Sequence, residues 1–157
     1  MRYKPVLNPK SPWLIWCNQG QAARFEPKAN VAVISIKEPE DDFLLPEGFL
    51  DALKLEFHDA TPNDGEFFNE WDERSSRWGK VKIKLFDEDM ANQVMAFLEK
   101  HKENNILVHC RAGFSRSAAV ASFAAELLGR EPVGWATPTT QFLNFHVRSL
   151  LNRLLWF

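Results

Sequence analysis

Cysteine is scarce in this sequence: the 157 residues include only Cys17 and Cys110. Two cysteines so far apart in the chain exclude the disulfide frameworks of small secreted domains, and they form no Cys-x-x-Cys pair that would indicate a zinc site. We therefore expect a reducing compartment, in which both cysteines remain thiols.

Long apolar runs and excess charge are also missing. No uninterrupted apolar segment of about 20 residues is present, and the N-terminus has no apolar leader. The net charge is only −2, so the composition provides no general attraction for nucleic acid or for an anionic membrane surface. We expect a soluble, cytoplasmic protein with neither a nucleic-acid partner nor a membrane partner.

The length of the chain fits one domain that spans residues 1–157. A domain of this size buries roughly 68 to 70% of its unfolded surface, which is enough for a core without metal or disulfide support. The sequence has no internal repeats and no Gly-Lys-Ser/Thr phosphate-binding motif. We therefore expect no nucleotide or other cofactor.

The most informative stretch is an apolar run, a short loop and an alanine-rich segment. Residues 106–108 are apolar and largely β-branched, as in a buried strand, and residues 117–128 favour a helix that ends at Gly129. The loop between them begins with Cys110 and ends with Arg116. A loop of this length can turn its backbone N–H groups and the helix N-terminus toward a tetrahedral oxyanion.

Each polar residue of this loop suits phosphate chemistry. The helix N-terminus favours Cys110 as a nucleophilic thiolate, and the planar fork of Arg116 can bind two phosphoryl oxygens. Gly113 permits a positive φ or a close approach of the backbone. Ser117 can donate its hydroxyl to the sulfur, and His109 can orient the loop from behind and help to hold the cysteine ionised.

Residues 109–117, reading His-Cys-Arg-Ala-Gly-Phe-Ser-Arg-Ser, resemble the signature loop of the cysteine-dependent protein tyrosine phosphatases, including their dual-specificity branch. The resemblance is strongest between residues 53 and 129. It implies an α/β fold with a central, largely parallel sheet and helices on both faces. The residues that it places around the phosphate are Arg111, Ala112, Gly113, Phe114, Ser115 and Arg116. Rhodanese-type sulfurtransferases use loops of similar length, but the glycine and the Arg-Ser ending argue against them.

The resemblance also implies an activity without a metal ion. The expected enzyme hydrolyses phosphomonoesters through a phosphocysteine, acts on phosphorylated proteins or small phosphomonoesters, and binds phosphate or vanadate in its active site. Two alternatives remain open. One is an inositol-phosphate or phosphoinositide phosphatase, because Arg111 stands where such enzymes often carry lysine. The other is a catalytically weak phospho-binding module, against which the intact Cys110, Arg116 and Ser117 argue.

By the same resemblance, an aspartate upstream of the cysteine protonates the leaving group. Asp59 is the first candidate because it follows the alternating run 53–57, and parallel strands end at the same edge of a sheet. Asp64, Asp72 and Asp87 remain alternatives. The gap between Asp59 and the cysteine is longer than is usual in the family.

The extra sequence lies at residues 62–84, which combine aromatic and charged side chains. We expect either a lid that closes over the phosphate site or a surface excursion, with residues 81–85 forming an edge strand or extended chain. Residues 87–89 are interpreted as helix-start acids. The helix that follows should bury one face, formed by Met90, Val94, Phe97 and Leu98.

Several other residues have plainer interpretations. Cys17 is expected to be a buried apolar side chain, with a redox role toward Cys110 as the alternative. The acids at residues 40–42 favour a solvated loop over a metal site. Thr137-Pro138 should open a final helix that contains His146 as a structural residue. The side chains of this helix that are available for the core are Phe142, Phe145, Leu150 and Leu154.

Overall fold

The protein is built on strands and helices that alternate along the chain. The computed structural model describes residues 11–134 and 142–156. In chain order the elements are β1 (Leu14–Asn18), α1 (Gln19–Arg24), β2 (Val31–Lys37), β3 (Asp51–Glu56), β4 (Phe67–Asp72), β5 (Arg77–Lys82), α2 (Glu88–Lys100), β6 (Asn105–Cys110), α3 (Arg116–Leu128), β7 (Pro132–Gly134) and α4 (Phe145–Asn152). Short 3-10 helices lie at Pro62–Asp64 and Arg153–Trp156.

Five strands form the central sheet, in the order β3-β2-β6-β1-β7, and all of their pairings are parallel. The prediction of an α/β fold with a parallel central sheet flanked by helices is confirmed. β6 lies in the middle and pairs with β1 and β2, so its carboxyl end, Cys110, has a strand end on either side. The edge strand β7 was not predicted, because its three residues are too short to show a pattern.

The two faces of the sheet have different covers. On one face, Trp16, Ile34 and Val108 pack against α2, α3 and α4, whose buried side chains form the larger core. On the other face, Ile15, Val33 and Leu107 pack against α1 and the aromatic and apolar side chains of the segment 43–49. The alternation of neighbouring residues between the two cores is the period-2 geometry of a strand that is buried on both faces.

The start of α2 and the end of α3 lie where the sequence indicates. The side chain of Asp87 accepts a hydrogen bond of 2.8 Å from the backbone N–H of Met90, which caps α2. The predicted apolar face of α2 is buried, and Gly129 ends α3 in the left-handed conformation with φ of 66°. These predictions are confirmed.

Residues 62–84 contain a β-hairpin that was not predicted. β4 and β5 pair in antiparallel fashion and form a sheet of their own, so residues 81–85 are not an edge strand of the main sheet. Both faces of the hairpin meet solvent over most of its length, and Phe67, Trp71 and Trp78 are exposed. Because neither face is consistently buried, its sequence lacks the regular alternation that identifies a half-buried strand.

The final helix begins later than predicted. Thr137-Pro138 lies outside the described residues, and α4 begins at Phe145 after the N-cap residue Asn144. Phe145 is the first residue of this helix and Phe142 precedes it, and the two side chains are 75% and 60% exposed, so their predicted place in the core is wrong. Val147 and Leu151 are buried instead, and Leu150 and Leu154 pack at the edge of the core.

His146 lies within α4 with Nε2 2.8 Å from the carbonyl oxygen of Phe86, a contact that agrees with the predicted structural role. Within residues 11–134 and 142–156, no helix has the length and apolar character needed to cross a membrane.

Candidate active site

The sulfur of Cys110 lies inside the predicted loop. Cys110 is the last residue of β6 and is 1% exposed. Its Sγ lies 3.1 Å from Oγ of the buried Ser117 and accepts a hydrogen bond of 3.3 Å from the backbone N–H of Gly113. The predicted contact between the serine hydroxyl and the sulfur is therefore present. Both groups would stabilise negative charge on the sulfur.

Gly113 is required at its position for two independent reasons. Its φ is +81°, which L side chains rarely adopt, and a Cβ there would lie 2.6 Å from the backbone nitrogen of Asn18. The loop crosses the end of β1 at this point, and the backbone N–H of Gln19 donates to the carbonyl oxygen of Arg111 at 3.2 Å. Both predicted uses of the glycine, the positive φ and the close approach, are confirmed.

Arg116 begins α3 and is almost completely buried, with 3% of its surface exposed. One terminal nitrogen donates to the carbonyl oxygen of Phe57 at 2.8 Å, and the other lies 3.2 Å from Oε1 of Glu38. These contacts use two of the five guanidinium N–H bonds, and Nε has no partner among the described residues. Arg116 therefore keeps donors for an oxyanion in the loop.

Glu38 was not predicted as part of the site. It follows β2 directly and forms a mostly buried ion pair with Arg116. Removing Glu38 alone would leave a buried charge uncompensated, at a typical cost of about 3 to 5 kcal/mol. The signal that could have identified Glu38 is its place after a buried strand, since strands that neighbour β6 end at the same edge of the sheet.

His109 lies on the opposite face of β6 from Cys110. Its ring is fully buried, with Nε2 lying 2.6 Å from Oγ of Ser35 and the ring edge against Phe43. Burial lowers the pKa of His109 to about 4, so the ring is neutral at pH 7. A neutral imidazole supplies no positive charge that would hold Cys110 ionised. Of the two predicted roles of His109, only the orientation of the strand end agrees with this environment.

Asp59 lies against the signature loop, defined here as residues 110–116. β3 and β6 are parallel members of one sheet, so the chain leaving β3 reaches the same edge as the loop. Oδ1 of Asp59 accepts hydrogen bonds from Oγ of Ser115 at 2.7 Å and from Nδ2 of Asn144 at 2.8 Å. The predicted proximity of Asp59 to the loop is confirmed.

The other three candidate acids have local partners. Asp64 accepts a bond of 2.7 Å from the backbone N–H of Thr61 and so closes a short 3-10 helix. Asp87 caps α2, and Asp72 bonds within the turn of the hairpin. Of the four, Asp59 alone has a hydrogen bond to the signature loop within the part of the chain that the structure describes.

Cys17 belongs to the smaller core on the opposite face of the sheet. The β1–β6 register places it beside His109, whereas Cys110 points into the larger core. Burial, together with the nearby Cys110, raises the pKa of the Cys17 thiol well above its ordinary value. Its position fits the predicted buried apolar side chain, and the opposite faces do not favour a disulfide with Cys110.

A cleft of about 1030 Å³ opens beside the signature loop. Arg111 and Gln19 line it on the loop side, and the hairpin contributes Phe68 and Arg74. Its carboxylates are Glu38, Glu40, Asp41, Asp42, Asp59, Asp64, Glu70 and Asp72. These eight acids face only two arginines, so the cleft is strongly acidic.

Asp41 shows how the acidic segment is held. Although partial burial opposes ionisation, hydrogen bonds from Gln19 and Phe43 keep the pKa of Asp41 below its usual value. Within the described residues, no group of three or more His, Cys, Asp or Glu is arranged to hold a metal ion. The segment 40–42 is thus a hydrogen-bonded part of the cleft wall.

Of the remaining loop residues, Arg111 lines the cleft and Phe114 does not. Arg111 and Ala112 are exposed, and Arg111 reaches the cleft. Phe114 is partly exposed and its ring contacts Phe142 at a centroid distance of 6.1 Å. Ser115 is buried, and its hydroxyl donates to Asp59.

Fold and site together define an α/β protein with a strand–loop–helix segment that has a buried cysteine at the end of β6 and a buried arginine at the start of α3. Comparison with models of protein families, with curated proteins and with solved structures gives no match for this chain.

Proposed function

We propose that this protein is a cysteine-dependent phosphomonoester hydrolase of the protein tyrosine phosphatase type. The observation that carries the proposal is the contact of Cys110 Sγ with both the N–H of Gly113 and the hydroxyl of Ser117, in a loop that ends at the buried Arg116. Its substrates would be phosphotyrosine and, with dual specificity, phosphoserine and phosphothreonine in proteins.

The first chemical step forms a phosphocysteine. The Cys110 thiolate attacks phosphorus as the bond from phosphorus to the ester oxygen breaks, and Asp59 gives its proton to that departing oxygen. Arg116 and the loop N–H groups hold the equatorial oxygens, where charge accumulates in the transition state. The step leaves Asp59 as a carboxylate and releases the dephosphorylated alcohol or phenol.

The second step regenerates the enzyme. A water molecule gives a proton to the Asp59 carboxylate while its oxygen attacks phosphorus, and the phosphorus–sulfur bond breaks. The hydroxyl of Ser117, 3.1 Å from the sulfur, stabilises the thiolate that leaves. Inorganic phosphate is released, and Asp59 again carries its proton.

The acidic cleft favours a protein substrate over an inositol phosphate. A polyphosphorylated ligand with its reacting phosphate on Arg116 would meet two arginines in the cleft, Arg111 and Arg74. The cleft also has eight acidic side chains, and six of them are neither paired with Arg116, as Glu38 is, nor the proton donor of the reaction, as Asp59 is. Like charges in a shared cleft oppose binding, whereas a polypeptide with neutral or basic residues beside its phosphorylated side chain fits the same field. Inositol phosphates and phosphoinositides therefore remain the second candidate class.

The test of the nucleophile is hydrolysis of an aryl phosphate without added metal. The wild-type protein should turn over and vanadate should block it, whereas Cys110→Ser should be inactive. Cys17→Ala is the matched control, since it alters the other cysteine on the opposite face and should keep its activity. Turnover by Cys110→Ser would exclude the mechanism, and phosphate binding by a wild-type protein without turnover would indicate a phospho-binding module.

The test of the substrate class is a panel of phosphopeptides, inositol phosphates and phosphoinositides. We expect the highest kcat/KM with phosphopeptides that carry basic residues beside the phosphorylated one. A clear preference for inositol phosphates or phosphoinositides would overturn the assignment as a protein phosphatase while leaving the chemistry of Cys110 intact.

A further inference from the structure

Asn144 connects three parts of the site. Its side-chain Nδ2 donates to Oδ1 of Asp59 at 2.8 Å and lies 3.3 Å from the carbonyl oxygen of Ala60. Its backbone N–H donates to the carbonyl oxygen of Ser115 at 3.0 Å, inside the signature loop. Asn144 is also the N-cap of α4 and is only 6% exposed. One buried residue thus joins three parts of the protein: its side chain contacts the Asp59 segment and caps α4, and its backbone N–H binds the signature loop.

The orientation of the Asn144 amide is fixed by its neighbours. Its Oδ1 accepts the backbone N–H of Val147 at 3.1 Å, and a backbone N–H can only donate. The oxygen must therefore face Val147, which leaves the NH₂ group facing Asp59. A flipped amide would lose the cap and would place two acceptors against each other.

Ser115 adds a second donor to the same oxygen. As the N-cap of α3 it would ordinarily use its hydroxyl to cap that helix, but it makes no side-chain cap bond. The hydroxyl donates instead to Oδ1 of Asp59 at 2.7 Å. Within residues 11–134 and 142–156, no donor is bonded to Oδ2 of Asp59.

We infer that Asn144 is a positioning residue for the general acid and that, together with Ser115, it reserves Oδ2 of Asp59 for the transferred proton. A protonated carboxyl group has one O–H, and its other oxygen is the natural acceptor. Two donors on Oδ1 select the form that carries its proton on Oδ2. This inference rests on the proposed function, because it concerns the acid of that reaction.

The experiment compares two substrates that differ in how much their leaving group needs a proton. Phenyl phosphate releases a basic phenoxide and needs the acid, whereas 2,4-dinitrophenyl phosphate releases a stable anion and hardly needs it. The measured quantity is the ratio of kcat/KM for phenyl phosphate to kcat/KM for 2,4-dinitrophenyl phosphate. This parameter covers the steps up to the formation of the phosphocysteine.

Asn144→Ser should lower this ratio about tenfold, since small displacements of a reacting group are costly. Serine keeps a good N-cap oxygen for α4, but its shorter side chain no longer donates to Asp59. Asn144→Asp, which keeps the size and the cap but loses the donor, should lower the ratio in the same direction and serves if the serine variant does not fold. Asn152→Ser, in the same helix, is the matched control and should leave the ratio unchanged.

The double variant separates positioning from a general structural effect. In an Asp59→Asn background no acid remains to be positioned, so Asn144→Ser should not lower the ratio further. An equal loss with both substrates, or the same further loss in the Asp59→Asn background, would overturn the inference.

Failure of the proposed function would look different. Turnover by Cys110→Ser would show that Cys110 is not the nucleophile. An unchanged ratio in Asp59→Asn would show that Asp59 is not the general acid. An inactive Cys110→Ser with a reduced ratio in Asp59→Asn, but an unchanged ratio in both Asn144 variants, would overturn only the role of Asn144.

Discussion

Gly113 is a position at which a single methyl group should disable the site. The added Cβ would meet the backbone of Asn18 at 2.6 Å, and backbone cannot move aside as a flexible side chain can. We expect Gly113→Ala to lower kcat/KM for an aryl phosphate by about 100-fold or more, because the loop must shift to relieve the clash. Steady-state kinetics and urea unfolding would measure both effects.

Gly129 provides the matched control for Gly113. It also has a positive φ, of +66°, but a Cβ there would meet nothing within 4 Å. Gly129→Ala should therefore cost only about 1 to 2 kcal/mol of left-handed strain and leave the kinetics unchanged. If Gly113→Ala and Gly129→Ala had similar unfolding free energies and similar kinetics, the close approach of Gly113 to the backbone of Asn18 would not have the role assigned to it.

His109 should make the protein less stable as the pH falls. Because burial lowers its pKa to about 4 in the folded state, the unfolded chain, with a pKa near 6.5, binds the proton first. Stability is then lost as the pH falls from about 6.5 to about 4, by up to about 3 kcal/mol, and this contribution changes no further below pH 4.

His109→Gln is the comparison that isolates this effect. Glutamine does not titrate, and its amide can keep a hydrogen bond to Ser35. Urea unfolding at pH 7 and pH 4 should show a larger loss for the wild type than for His109→Gln. A difference between the two proteins that is the same at both pH values would show that folding does not lower the pKa of His109.

At the scale of elements, the hairpin is joined to the domain at a narrow base. His58 is its main anchor: Nδ1 accepts the backbone N–H of Lys84 at 2.9 Å, Nε2 lies 2.7 Å from Oε1 of Glu40, and its ring meets Phe68. Through His58, which directly precedes Asp59, the base of the hairpin is therefore linked to Glu40 in the wall of the cleft. Its outer half has exposed aromatic rings at Trp71 and Trp78, which contact each other.

Replacing residues 67–82 with Asn-Gly should separate recognition from chemistry. The backbone N–H of Ile83 donates to the carbonyl oxygen of Glu66 at 2.8 Å, so a two-residue turn can join them. We expect kcat/KM for an aryl phosphate to stay within about threefold, since the signature loop is untouched. For a basic phosphopeptide it should fall about tenfold, because part of the acidic cleft wall is removed.

The opposite pattern would give the hairpin another role. If the shortened protein lost aryl-phosphate turnover as well, the hairpin would be part of the chemistry, as expected of a lid that excludes water. If shortening the hairpin changed kcat/KM for neither substrate, the hairpin would be an ordinary surface excursion. The thermal unfolding midpoint provides the folding control.

The elements that could be predicted from sequence are those in which each face is buried, or exposed, along its whole length. β2 and β6 are apolar because both of their faces are buried, and α2 shows one apolar face between two clear end signals. The hairpin and β7 could not be predicted, since one is solvated on both faces and the other is three residues long. The start of α4 was misplaced because its N-cap, Asn144, is a single polar residue whose bond to the backbone N–H of Val147 is visible only in the structure.

At the scale of the whole molecule, the predictable part of the site is the part that is local in sequence. Cys110, Gly113 and Ser117 lie within one short segment, so their spacing alone indicates how they meet. Glu38 and Asn144 reach the site through the order of the strands and the phase of the last helix. No spacing between them and the loop is visible in the sequence, and only the folded sheet places them there.

The pairing of β1 with β6 has a consequence for synthesis. Trp13 and Asn105 are hydrogen-bonded across 92 residues of chain, so β1 leaves the ribosome roughly 5 to 20 s before its partner is made. During that interval its apolar residues, which are buried in the finished protein, have no neighbouring strand on the β6 side. β1 is therefore a segment of the nascent chain that is open to aggregation until β6 is made, and the site is complete only after Asn144 has been added.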